Sequence, residues 1–135
     1  MPLSRAHGKT PREPWQYGDM ALKEVKKWIN FRHRLVPYLY HAACQSHQSG
    51  IPMIRPLVME YPKDPIAKIQ NLSYMLGDAL LISPGFDRDE YELYLPDGRW
   101  QDIESKEVYE GMTFVHIENK AFADGGTSLR VFQKE

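Results

Sequence analysis

A chain of 135 residues, 42% hydrophobic and 26% charged, suits one globular domain with a real core. Its net charge of −1 excludes a general electrostatic pull toward nucleic acid or anionic membrane, and the single Cys44 excludes an internal disulfide and any Cys-x-x-Cys metal site. No apolar run has the length of a bilayer span, and no signal peptide, repeat or low-complexity tract is visible, so a reducing, cytoplasmic setting is expected.

Residues 1–18 read as loop, because Gly8, Pro11, Pro14 and Gly18 all oppose regular structure. Trp15 looks buried. Asp19 can then cap a long helix, with Leu22, Val25, Ile29, Arg32, Val36, Leu39 and Ala43 at helical spacing, and Trp28 and Leu35 widening the stripe. Pro37 removes a backbone donor and predicts a kink near Arg34. Gly50 predicts the stop, in the left-handed conformation.

"IPMIRPLVMEYP" (51–62) is an apolar run holding only Arg55 and Glu60 as charges. Its lack of alternation predicts a strand buried on both faces, as in a parallel sheet, and Pro52 and Pro56 predict a short or irregular ladder. Asp64-Pro65 then predicts a capped helix with Ile66, Ile69, Leu72 and Leu76 on its inner face, ending at Gly77. From Ala79 the pattern is β. "ALLISPGF" reads as a buried strand, "YELYLPDGRWQDI" as two strands joined in a hairpin by Pro-Asp-Gly, and "TFVHIE" and "LRVFQ" as two more. The chain therefore divides into an α/β piece and an all-β piece near residues 77–79.

Residue chemistry alone assembles no complete catalytic constellation. His7, in a Gly/Pro-bounded loop beside Arg5, suits either a binding role or a solvated one. His33, His41 and His47 on the long helix lack the spacing of a helical metal pair and read as structural. Lys23, Lys26, Lys27, Arg32 and Arg34, interleaved with Trp28 and Phe31, read as a solvated face rather than a nucleic-acid or membrane surface. Cys44, between Ala43 and Gln45, reads as core, and Asp19 and Asp64 as caps.

Five stretches, in order and at fitting intervals, carry a resemblance: "SRAHG…PREPW", "FRHRLVPYLYHAA", "GIPMIRPLVMEYPKDP", "YMLGDALLISP" and "YLPDGRWQDI". Together they resemble the C-terminal part of the catalytic region of glycoside hydrolase family 31, which holds α-glucosidases and α-xylosidases. The likeness covers residues 4–103, closer to the bacterial α-xylosidase/α-glucosidase branch than to the animal digestive enzymes. It implies an α/β plus β fold: the last βα units of a (β/α)8 barrel in residues 1–78, then the start of an antiparallel β-sandwich in 79–135. The opening loop would follow the seventh barrel strand, which lies upstream of Met1; 19–49 would be the seventh helix and 51–60 the eighth strand. Barrel active sites sit among the loops after the strands, so this loop would be the rim of one.

The resemblance further implies that His7 contacts hydroxyls of the sugar at the cleavage subsite, that Arg5 braces the loop and Trp15 anchors it, and that Arg55 and Glu60 are buried partners. The family's retaining mechanism uses two aspartates with carboxyls about 5–5.5 Å apart. Neither of their motifs is in this chain: "YGDMALKE" (17–24) has Asp-Met without the rest of the nucleophile motif. No residue here is thus assigned as catalytic, and no metal or organic cofactor is expected. After Gly111 "IENKAFADGGTSLRVFQKE" departs from the family's Pro-rich, Arg-Ala-Gly pattern.

The expected partner is an α-linked oligosaccharide or glycoside, with neither nucleic acid nor membrane. The uncovered stripe from Leu22 to Ala43 and an open strand edge also predict self-association or a complementing chain. The rival readings are a non-catalytic remnant that binds a partner or a sugar, and a nucleic-acid binder using the basic helix.

Overall fold

The computed structural model describes residues 5–85, 90–118 and 129–135. Its first helix, α1 (Asp19–Arg34), starts behind Gly18, which occupies the N-cap position with φ +88°. Asp19 is therefore the first helical residue rather than the cap, and its carboxylate sits where the helix dipole favours negative charge. The long helix breaks at Leu35, and α2 (Val36–Ser49) continues it with Pro37 in its first turn. The break is mild: Leu35 N–H still reaches Phe31 and Arg32 carbonyls at 3.1 Å, and Leu39 N–H reaches Leu35 at 2.8 Å. Gly50 ends α2 at φ +77°, its N–H on the Ser46 carbonyl, as expected.

The next segment departs from expectation. In place of a parallel strand over 51–60, β1 (Ile54–Pro56) is three residues long and antiparallel to β2 (Tyr74–Leu76). Leu57–Glu60 then turn into a single helical turn, α3, directly after Pro56. The prolines set the length: neither can donate to a ladder, which confines the pairing to Ile54–Pro56, with Pro56 as its last residue.

The helix expected from Asp64 to Leu76 is absent as well. Asp64 does cap, but only a turn: its Oδ1 accepts the N–H groups of Ile66 at 2.8 Å and Ala67 at 3.2 Å. Ile69 is 77% exposed, so the supposed inner face is not one, while Tyr74–Leu76 are drawn into β2 between β1 and the next strand. Sheet pairing overrides the local helical pattern here. The other Asp64 oxygen accepts the Tyr94 hydroxyl at 2.7 Å. Burial and the facing carboxylate push Tyr94 up to about 12; burial would raise Asp64 too, but these hydrogen bonds outweigh it and hold the acid below its ordinary range.

The remaining strands are β3 (Leu80–Pro84), β4 (Glu90–Leu95), β5 (Arg99–Asp102), β6 (Val108–Glu110), β7 (Thr113–Glu118) and β8 (Leu129–Lys134). They form a six-stranded antiparallel sheet in the order β1-β2-β3-β8-β5-β6, and a two-stranded sheet β4-β7. The expected β4–β5 hairpin is therefore a corner. Pro96-Asp97-Gly98 carries the chain from one sheet to the other, pinned by Trp100 Nε1 on the Pro96 carbonyl at 2.7 Å and Gly111 N–H on the Gly98 carbonyl at 2.7 Å. A Cβ on Gly111 would overlap the Pro96 carbonyl oxygen, so the close approach requires glycine.

The large sheet is covered on both faces, which accounts for the unbroken apolar run in β3. Leu80 and Ile82 pack with Val131, Leu39, Trp28, Phe31 and Leu35 on the helix side. Leu81 and Phe132 pack on the other side with Leu93, Leu95, Val115 and Ile117 from the small sheet, around Trp100. The result is three layers: helices, large sheet, small sheet. "ALLISPGF" is thus buried on both faces in an antiparallel setting; its last residue, Phe86, lies outside the described residues, as does the whole stretch 119–128 between β7 and β8.

Candidate functional site

The loop that carries His7 leads directly into α1. Gly8 lies under the Arg12 side chain so closely that a Cβ there would overlap the guanidinium, and Pro14–Tyr17 close the loop with a 3-10 turn, Gln16 N–H on the Glu13 carbonyl at 2.9 Å. His7 is exposed on this framework, and so is Arg5. Trp15 is not buried: it is 62% exposed, with Tyr17 beside it at 63%. The apolar surface that would receive an anchoring indole is not supplied by the described residues, so the sequence's buried-looking tryptophan is exposed.

A second polar constellation ties the helices to the sheet. Arg55, buried on β1, places Nη2 2.6 Å from Asp78 Oδ1 and Nε 3.1 Å from Glu60 Oε2. The Glu60 contact is an ion pair without a hydrogen bond, since the Nε–H finds no aligned acceptor. The expected Arg55–Glu60 partnership is present, and the sequence missed its stronger half, Asp78. Gln45 from α2 donates to the second Asp78 oxygen at 3.4 Å. Tyr38, also on α2, donates its hydroxyl to the Leu76 carbonyl at 2.7 Å and accepts the Ala79 N–H at 3.0 Å. Gly77, at φ +60°, leaves the space that the Tyr38 ring fills. No sequence signal joins residues 38, 45, 55 and 78; only the fold does.

The hydrogen bond from Arg55 holds the Asp78 carboxyl below its ordinary value of 3.8, against the opposing effect of burial. A depressed folded value means that the group's contribution to stability is complete above the unfolded value and is lost as pH falls through the folded one. Asp78→Asn is therefore expected to be less stable than the parent near neutrality and equal to it in strong acid. Thermal melts of both proteins between about pH 2 and pH 6 read this directly; a constant gap would show that the carboxylate charge is irrelevant.

The other candidates remain apart. His33, His41 and His47 are exposed along the helices, His33 Nδ1 within 2.9 Å of the Ile29 carbonyl. No group of three or more metal-ligating side chains occurs among the described residues. Cys44 is half-buried. On the basic face, Lys27 is paired with Glu24 at 3.4 Å and with Glu104 in the β5–β6 turn, and it lies over the Trp28 ring. Part of this face thus ties α1 to the sheet. No described helix is long and apolar enough to cross a membrane.

Comparison with known families gives two matches. Residues 1–42 match the glycosyl hydrolases family 31 TIM-barrel domain, and residues 50–135 match the glycosyl hydrolase family 31 C-terminal domain. The second match reaches Glu135, so the stretch beyond Gly111 lies within that domain despite its departure from the expected pattern. Among curated proteins, the chain is 35% identical over 105 residues to a 1,6-alpha-glucosyltransferase of Sporosarcina globispora, covering 75% of this chain and 8% of that one. It is 32% identical over 109 residues to the lysosomal alpha-glucosidase of Bos taurus, covering 77% and 12%. It is 35% identical over 114 residues to an alpha-xylosidase of Saccharolobus solfataricus, covering 82% and 16%. Among solved structures, the family 31 dextranase of Flavobacterium johnsoniae in complex with glucose superimposes with a TM-score of 0.83 at 30% identity, covering 94% of this chain and 15% of that one. A soil-metagenome alpha-xylosidase in complex with xylose gives 0.82 at 25% identity, covering 93% and 18%. The chain thus spans less than a fifth of the length of each of these relatives.

Proposed function

The chain belongs to glycosyl hydrolase family 31, and from that premise we propose that it is a segment of a retaining α-glycosidase acting on α-linked glucosides or α-xylosides. In this reading it supplies the end of the catalytic barrel and a sugar-contacting histidine, while the reacting aspartates stand on another segment. One observation carries it: His7 stands exposed on a short loop, closed by a 3-10 turn, at the head of a helix within the barrel-matching stretch. Loops on a rigid scaffold at that end of a barrel are where substrate is bound.

An imidazole suits the task. It can donate one hydrogen bond and accept another, which matches a sugar hydroxyl, and its plane packs against the ring. Such a bond contributes to rate only if it strengthens as positive charge develops on the sugar in the transition state. A reducing, cytoplasmic setting belongs to the same proposal.

The test is His7→Ala in a complete enzyme carrying this segment. Loss of a transition-state hydrogen bond is expected to lower kcat/KM on an aryl α-glucoside or α-xyloside by about 10²–10³-fold, with the melting temperature unchanged. Unaltered kinetics would remove His7 from the cleavage subsite.

A further inference from the structure

The helices and the large sheet do not close on each other along their whole length. Two polar struts hold them together. Tyr38 on α2 bridges the Leu76 carbonyl and the Ala79 N–H, and Lys27 on α1 pairs with Glu104. Between the struts lies a cavity of about 260 Å³. Its roof is Trp28, Phe31 and Leu35, the two rings edge to face with centroids 5.8 Å apart. Its floor is the cross-strand row Tyr74, Ile82 and Val131, in register through β2, β3 and β8. Ile29, 41% exposed, stands at the mouth.

We propose that this cavity binds a small neutral aromatic molecule of about indole's size, held by one hydrogen bond between its N–H or O–H and the Tyr74 hydroxyl. Such a site is independent of the glycosidase reading. Its volume sets the size: an apolar cavity of about 150 Å³ already holds benzene, so this one has room for a second ring. Its walls set the polarity. They are almost wholly aliphatic and aromatic, which leaves a sugar's hydroxyls unpaired, and a bound water would need about two to four polar partners. Arg32, the one charged residue of the lining, is not free, so no ligand charge is called for. Tyr74 supplies the single polar contact. Burial raises its hydroxyl with no hydrogen bond to oppose the shift, which leaves one donor or acceptor beside apolar walls. The struts keep the helix above the sheet, so the cavity is formed before a ligand arrives.

Titration calorimetry of the 135-residue chain with indole is expected to show one site with Kd on the order of 10⁻⁴–10⁻³ M, and saturating indole should raise the melting temperature. Ile29→Trp lays a ring across the mouth and is expected to weaken binding about tenfold or more, without lowering the melting temperature of the free chain. Tyr74→Phe should weaken indole by about 2–10-fold and leave 1-methylindole, which has no N–H, unchanged. This second variant alters a single half-buried hydroxyl, so it decides the matter even where Ile29→Trp fails to fold. The site is overturned if no saturable heat is seen, if more than one indole binds per chain, or if folded Ile29→Trp binds indole like the parent. It is also overturned if Tyr74→Phe leaves indole binding unchanged or weakens both ligands alike, since the hydroxyl would then not be the contact.

Discussion

The purified 135-residue chain is expected to release no nitrophenol from an aryl α-glucoside or α-xyloside above the level of its His7→Ala variant. Retaining hydrolysis needs one carboxylate to attack and a second, protonated near neutrality, about 5–5.5 Å away. Several of the described acids are committed elsewhere. Asp78 and Glu60 both neutralise Arg55, Asp64 receives Tyr94 and two backbone N–H groups, and Glu92 faces His116 across the small sheet at 2.9 Å. A general acid requires a carboxyl whose affinity for its proton is raised, whereas Asp64 and Asp78 are both shifted the other way. A histidine that binds hydroxyls does not replace either group. Turnover by the pure chain that survives His7→Ala would relocate the chemistry into residues assigned here to structure.

Trp100→Ala is expected to have the largest effect on folding, about 3–5 kcal/mol. The indole is 0% exposed and lies at the centre of the core between the two sheets. Its Nε1–H holds the Pro96 carbonyl at 2.7 Å, so the substitution both opens a cavity and orphans the corner where the chain changes sheets. The Lys134 ammonium lies 5.7 Å from its ring centroid and donates to the Tyr61 hydroxyl at 3.0 Å, so β8 and the segment after α3 loosen with it. Urea unfolding followed by circular dichroism measures the loss, with Ile69→Ala, at a 77% exposed position, as the variant expected to change little. A Trp100→Ala midpoint equal to that of Ile69→Ala would mean that the core is not organised around the indole.

Features set by a few neighbouring residues were legible in the sequence. The break at Leu35 follows from Pro37, and the stop at Gly50 from a residue that tolerates positive φ. β7 and β8 show their own β-rich patterns. Features set by distant pairing were not. Residues 66–76 carry a helical period, yet Tyr74–Leu76 gain more by joining β1 to β3. Pro-Asp-Gly has the composition of a hairpin turn, but β4 and β5 each prefer other neighbours. The small strand β6 carries too few residues to show a period at all. For the site, the residue pattern drew attention to His7, but its role came from family resemblance. Asp78 escaped notice because Arg55 reaches it across 23 positions.

The last strand is not an edge. β8 lies between β3 and β5, so Leu81 meets Phe132 across a gap of about fifty residues, and among the described strands β5 and β6 join the large sheet only through it. During synthesis the first three strands can pair as they emerge, but the sheet stays in two pieces until residues 129–134 have left the ribosome. Until then Leu81 and Trp100 lack their shared neighbour Phe132, and the nascent chain offers unpaired strand edges to whatever is nearby. A chaperone would meet this segment late, and a frameshift a few codons before residue 129 would leave an unzipped sheet rather than a shorter domain.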